Sequence, residues 1–502
     1  MPSATHETSP LLQGQNNGHD DRQLIEFSKE DDANPRAWSK GKKLANIGVI
    51  ASMSILSPLA SSMFAPGIKS IADSLNAAEN GVIGCQTGFV ILLGIGPLIL
   101  APLSETFGRK VLYMWCFTIF TLLQIPTALA KTLPVLVTLR TLAGFFGSVG
   151  IANGGGTISD MVCPKTLGVH CFLKNGIIPR RLCTITPQTC NFPPELLGPL
   201  LGPTLGPLLG SIILQNLSWP WLFWVMLIIC SASVAGAFFF LRETYVPILL
   251  SKRKKELESS GSGKYYFKGE DDRSLKSKLA QAIQRPVRIL FTQPIVLTMA
   301  SYQALLFAIT YSLYTQFESI YGEGYGFSTI QVGLVYLGPG LGFLVAVWFL
   351  VPRIGTVYNS LTKKHNGEAK PEYRLPIANI GAILIPISLF WFAWTVEFHV
   401  HWFVTILPTF FYGIGQVAIF NSVQNYYIDS FEKYAASAIA AGALFRSVIG
   451  GIIPIFTGTL IDKLGIGWGM SVFGFVSVLL APSPLIFWYF GELLRKRFAI
   501  NL

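Results

Sequence analysis

Twelve apolar blocks, each long enough to cross a bilayer as a helix, dominate this sequence and leave few folds open to it. They cover residues 44–67, 80–101, 111–130, 134–158, 196–215, 218–241, 294–320, 328–351, 376–396, 400–425, 435–461 and 468–490. About 20 residues of helix span the hydrocarbon core, where every backbone polar group must be satisfied within the spanning structure itself. Blocks of this length predict helices, so the expected fold class is an all-α membrane protein. Only 13% of the residues are charged, whereas soluble proteins carry about 25%, and a soluble fold is excluded.

The formal net charge of +11 would suit a nucleic-acid partner, but the placement of the cations says otherwise. With the amino terminus in the cytoplasm, all but five of the 38 Lys and Arg fall in inner loops and tails. The exceptions are Lys69, Lys131 and Lys463 in outer loops and Arg140 and Arg446 inside spans. That is the positive-inside pattern, with both termini cytoplasmic. The run from Lys252 to Arg288 is expected to lie against anionic lipid headgroups. The partners expected are therefore membrane lipid and a small solute, with no nucleic acid. Residues 1–43 are polar and lack the apolar core of a cleavable leader, so span 1 is expected to target the chain. Glu7-Thr-Ser-Pro-Leu11-Leu12 fits an acidic dileucine sorting pattern.

The polar interruption at 242–293 divides the helices six and six, an arrangement of many transporters built from repeats. The expected organisation is a cytoplasmic tail (1–43), a six-helix bundle (44–241), a cytoplasmic central loop (242–293), a second bundle (294–490) and a short tail (491–502), with the bundles around a central cavity. Gln86, Gly88, Val90 and Leu92 recur as Gln331, Gly333, Val335 and Leu337, an echo of duplication. Residues 162–195 do not belong to this plan. They hold four of the seven cysteines and five prolines, and Val162-Cys163 is what an in-frame splice donor would encode. Two readings stay open, translated intron sequence and a genuine insertion in a cytoplasmic loop.

Four stretches carry the functional signal. The turn after span 2 reads Ala101-Pro-Leu-Ser-Glu105-Thr-Phe-Gly108-Arg109-Lys110. There Gly108 permits a tight turn, Glu105 can face a helix amino terminus, and the two cations suit the cytoplasmic surface. Span 4 contains Leu139-Arg140-Thr-Leu-Ala-Gly144-Phe-Phe-Gly147, and a lone Arg inside a span costs at least ~2.5 kcal/mol to insert. Arg140 is therefore expected to face an aqueous cavity or a partner. In span 5, Gly198, Gly202, Gly206 and Gly210 repeat every four residues, with Pro199, Pro203 and Pro207 one step behind. Such glycines form one flat stripe along which another helix can approach. A stripe that only permits contact should tolerate alanine. Polar residues on one helical face, Gln303, Thr310, Tyr311 and Tyr314 in span 7 and Asn421, Gln424 and Asn425 in span 10, are candidates for the cavity wall. Gln86, Asn153 and the second intramembrane cation Arg446 join them, and hydrogen bonding between helices is the competing use.

The turn after span 2, the Arg140 stretch and the span 5 repeat resemble three signatures of the major facilitator superfamily. Together with Asn34-Pro35-Arg36-Ala37-Trp38 and Arg242-Glu243-Thr244-Tyr245, they look like its fungal twelve-span drug:proton antiporter branch. Ala101 and Glu105 depart from the usual Gly and Asp of the loop signature. The resemblance implies a proton-coupled exporter of drugs, toxins or secondary metabolites that works by alternating access as a monomer. It further implies that Glu105, with Arg109 and Asp160 nearby, belongs to the conformational switch. Arg140 would serve proton coupling, and the span 5 repeat, Gly202 to Gly210, would be a hinge. No cofactor is expected beyond the proton gradient, because no GxxxxGK[ST] loop occurs. Neither an enzyme nor a metal centre is expected, since His399 and His401 have only Glu397 nearby as a ligand. The alternatives are a polyamine or other small-solute transporter of the same superfamily and a non-transporting sensor. The expected location is the plasma membrane, with the vacuolar membrane as second choice.

Overall fold

The computed structural model describes residues 23–28, 31, 33–161, 194–261, 264–270, 273–431 and 434–498, with side chains from Gly202 onward in the stretch that starts at 194. The Glu7 to Leu12 pattern and the segment 162–195, save the backbone of its last two residues, lie outside the described residues.

Helices follow the apolar blocks. The first six spans are Lys40–Ser62, Glu79–Phe107, Arg109–Ala128, Leu133–Gly147 continuing as Val149–Met161, Pro194–Asn216 and Pro220–Phe240. Span 7 is Pro294–Phe317, which runs into a π-helical turn, Glu318–Gly324. Span 8 is Thr329–Val335 with Leu337–Phe349, span 9 is Pro376–Glu397 and span 10 is Trp402–Ser430. The last two spans share one helical run, Ala435–Leu480, broken at Gly465, whose φ is 77°. Eight residues of straight helix cover about 12 Å, yet a Cβ on Gly469 would lie 3.1 Å from Ile461. The chain therefore doubles back there, and span 12 returns to end in Ser483–Arg497.

Several expected boundaries are corrected. Helix extends beyond 351 through Val351–Lys364, and it continues into the expected tail as far as Arg497. The stretch 242–293, expected as a cytoplasmic central loop, holds the helices Val246–Ser259 and Leu275–Thr292. Both are polar or amphipathic, which the search for apolar blocks passes over. Gln23–Leu24 of the tail pairs in parallel with Tyr265–Tyr266 of this stretch, and Arg253 donates to Asp31 at 2.5 Å. The N-terminal tail and the central stretch are thus joined.

Two apolar cores hold the helices. One runs from Trp38 to Leu241, the other from Ile289 to Phe487. Outward faces are apolar as well, with Trp115 68% and Leu479 78% exposed, which suits lipid as the surrounding solvent. The halves meet along two seams. Span 2 lies on span 11, where Thr87 Oγ1 donates to Gly451 O at 2.7 Å and Gly94 faces Ser447. Span 5 lies on span 8, where Thr204 packs against Gly340 and Ser211 against Gly333. Toward the outer side, Ser61 and Tyr311 share a hydrogen bond of 3.2 Å and Lys69 pairs with Glu323. On the cytoplasmic side, the inner ends of spans 2 and 11 flank a cleft of about 530 Å³, lined by Glu105, Arg285 and Ser437 among others.

Candidate functional site: a bundle interface with two intramembrane arginines

Helices pack in lipid through small residues that let backbones approach, and span 5 does this against span 1. An added Cβ would lie 2.8 Å from Leu59 N at Gly202, 2.7 Å from Leu59 O at Gly206 and 2.0 Å from Met63 O at Gly210. These are backbone atoms that cannot step aside, so alanine at any of the three would crowd span 1. Pro203 and Pro207 are buried, and Pro194–Asn216 runs as one uninterrupted helix past both. The other side of span 5 carries Thr204 and Ser211 to span 8. One helix thus belongs to the first bundle through its glycines and to the seam through its hydroxyls.

Arg140 is enclosed within the first bundle, at 1% exposure. Its guanidinium lies over Phe89, Phe64 and Phe223 at 4.4, 4.9 and 5.6 Å and donates to Ala60 O at 2.8 Å. Desolvated contacts of this kind contribute up to about 2 kcal/mol each, and a hydrogen bond from a charged group about 1.5–3 kcal/mol. Together these offset an insertion cost of about 2.5–3.5 kcal/mol. The partner that the sequence required is therefore a set of rings from spans 2 and 6 and from the turn after span 1, and no carboxylate among the described residues forms an ion pair with Arg140. Its Nε has no hydrogen-bond partner.

Gly108 adopts φ 102°, as the tight turn requires, and its missing Cβ leaves room for Glu243. That carboxylate accepts from the Arg109 and Lys110 amides at 3.0 and 3.1 Å and from the Thr244 and Tyr245 amides, both at 3.0 Å. The acid at the start of span 3 is Glu243, from the far end of span 6, while Glu105 is exposed on the cytoplasmic cleft. The Arg109 side chain turns the other way and pairs with Asp160 at 2.7 Å. The second half repeats this arrangement. Arg374, ahead of span 9, pairs with Asp429 at the end of span 10 at 2.7 Å, and Glu372 holds Arg495 at 2.7 Å. Sequence reasoning gave Glu243 no role and missed Glu372, Arg374 and Arg495. Shifting the Arg109 pattern by six helices would have found Arg374.

The polar candidates divide by partner. Asn153 accepts from Ser104 at 2.9 Å and ties span 2 to span 4. Asn421 and Asn425 donate to carbonyls of their own helix, Val417 O and Asn421 O, at 3.1 and 2.8 Å. Thr310 meets Tyr412 at 3.0 Å and Gln416 at 3.1 Å, joining spans 7 and 10. Tyr314 packs on Tyr336 at 5.3 Å and faces Thr204 across the seam. Gln86 is buried with neither amide atom paired, Gln303 keeps an unpaired Nε2, and Gln424 is half-buried. Tyr311, already noted against Ser61, flanks Arg446. Arg446 itself is half-buried and lies over Phe307 and Phe420 at 4.5 and 4.9 Å, with Nε and Nη1 unpaired.

Known proteins agree with this architecture. The sequence profile of the Major Facilitator Superfamily matches residues 50–169 and 197–454, and the break at 170–196 overlaps most of the segment singled out at 162–195. The chain is 35% identical over 487 residues to the MFS-type transporter tndD of Aspergillus flavipes, covering 95% of this chain and 86% of that one. It is 34% identical over 490 residues to the efflux pump radE of Floropilus chiversii, covering 96% and 87%. The fold matches a partially occluded, inward-open form of the xylose transporter XylE from E. coli with a TM-score of 0.58, at 15% identity, over 89% of this chain and 99% of the other. With twelve spans, two bundles and relatives of this kind, the chain is a multi-pass membrane transporter and no enzyme, and it belongs to the major facilitator superfamily, among its fungal efflux transporters.

Proposed function

We propose that this protein exports amphipathic organic compounds, drugs or secondary metabolites, in exchange for entering protons by alternating access. Span 5 carries this reading. Its glycines fix it to span 1 backbone against backbone, while Thr204 and Ser211 present a side-chain surface to span 8. A rigid helix with one bonded face and one sliding face is what rocking of two bundles requires. The halves touch from mid-membrane outward and part around a cytoplasmic cleft, the state that would take substrate from inside. The name of radE, an efflux pump, supports the same direction of transport. The protein acts as a monomer in the plasma membrane, with the vacuolar membrane as the alternative.

The test is efflux of a fluorescent amphipath from energised cells before and after a protonophore collapses the gradient. Efflux should stop. Efflux that persists in vesicles with no proton or other ion gradient would overturn the coupling.

A further inference from the structure

Of the two intramembrane arginines among the described residues, Arg446 is the one with fewer hydrogen-bond partners. It stands in the wall where spans 7, 10 and 11 converge, half-buried over the faces of Phe307 and Phe420, both half-buried themselves. Two of its nitrogens have no hydrogen-bond partner. The nearest hydroxyls are committed elsewhere, Tyr311 to Ser61 at 3.2 Å and Tyr427 to Val296 O at 3.1 Å. No carboxylate among the described residues forms an ion pair with it. The acids at membrane level, Glu105, Asp160 and Asp429 on one side and Glu318 on the other, sit toward the ends of the spans. One turn before Arg446, the place of Gly442 is flanked by Gln303 and Tyr427, and the Gln303 Nε2 is likewise unpaired. The wall therefore presents a guanidinium over two aromatic faces and, one turn away, an unpaired amide donor, with no carboxylate among the described residues to meet either. Unpaired buried donors of this kind favour an acceptor that arrives with the ligand, and a fork of guanidinium donors matches a carboxylate.

We propose that Arg446 recognises the substrate's negative charge, and that the compounds carried are aromatic organic acids bound as their anions. Phe307 and Phe420 take the rings, and Arg446 with Gln303 takes the carboxylate. This rests on the exporter reading above and adds the substrate's charge to it.

The experiment compares three probes of equal ring size, 2-naphthoate, 2-naphthamide and 2-naphthylmethylammonium, on the purified full chain in nanodiscs and in proteoliposomes. Binding is read by displacement and transport by release of the naphthalene fluorophore. The wild-type protein should bind the anion at least tenfold more tightly than the amide or the amine. Arg446→Gln should lose that preference while keeping its affinity for the amide, and Arg446→Lys should keep part of it. Equal binding of the three probes, no binding of the anion, or a preference that survives Arg446→Gln overturns the proposal, and the wild-type comparison stands even where a variant fails to fold. Failure of the exporter reading looks different, since anion-selective binding would then persist without any release from proteoliposomes.

Discussion

The two bundles use the same four-residue spacing to opposite ends. In span 5 every fourth residue is glycine, and Gly202, Gly206 and Gly210 set that helix directly on the backbone of span 1. The corresponding run in span 11 reads Gly442, Arg446, Gly450, Pro454, Gly458, so an arginine stands where the stripe would continue. Span 11 still faces span 7 through it, since an added Cβ at Gly450 would lie 2.6 Å from Phe307 Cβ. At Arg446 the side chain lies over Phe307 of span 7 and Phe420 of span 10 instead of leaving room for a facing backbone. The intramembrane arginines differ in the same sense. Arg140 is enclosed by three rings and a carbonyl, whereas Arg446 has two rings and unpaired nitrogens. On the reading proposed above, the closed interface would be the lever and the interrupted one the binding wall, so that near-duplicate halves divide the work.

The largest effect expected on this contrast comes from Arg140. Arg140→Met keeps most of the volume and removes a charge whose insertion costs about 2.5 kcal/mol or more, so membrane abundance should hold. Export should fall by about two orders of magnitude, because the proposed coupling needs a charge at this place, while the lost ring and carbonyl contacts and the relieved insertion cost offset each other in stability. Initial efflux rates normalised to surface protein measure this. Normal export would leave Arg140 as packing and erase the contrast with Arg446.

Much of this plan is legible in the sequence. Apolar blocks of spanning length declare the helices, and lone arginines inside them announce themselves by their cost. What surrounds those arginines is not legible. Phe64 follows span 1, while Phe89 and Phe223 belong to spans 2 and 6, and neither periodicity nor composition says that these segments converge. Glu243 was in plain view after span 6, but its work depends on that end lying beside the start of span 3. Asn421 and Asn425 show the same limit from the other side. A polar face suits a cavity wall, and their amides also bond back to their own helix, a use that side-chain pattern cannot separate from ligand contact.

A middle-sized effect should separate the two stripes. Gly206→Ala forces a Cβ to within 2.7 Å of Leu59 O, and overpacking of this sort costs about 1–3 kcal/mol. The melting temperature of the purified protein should drop by several degrees. Gly442→Ala meets only the Gln303 Oε1 and the Tyr427 ring edge, each at 3.3 Å, both ends of side chains that can shift. Its melting temperature should stay within about a degree of wild type, in line with a change under ~0.5 kcal/mol. Equal losses would mean that both interfaces are closed and that Arg446 opens nothing.

The smallest effect belongs to Pro203, and it decides whether the closed interface is a moving part. Pro203 is buried in the span 5 helix, one step from Gly202, and proline withholds the amide that would tie this turn to the one before it. Pro203→Ala restores that donor and stiffens the helix at the level where span 5 passes between span 1 and span 8. The glycine contacts are untouched, so abundance and melting temperature should match wild type. Turnover should slow about fivefold, which corresponds to ~1 kcal/mol on the barrier, because a stiffer helix favours one of the two states. Substrate affinity should stay the same, since the substituted residue lies on span 5 and the proposed binding wall is built from spans 7, 10 and 11. Wild-type efflux by Pro203→Ala at equal membrane abundance would leave the stripe as packing alone and move the hinge to the span 8 side of the seam, where Gly340 meets Thr204.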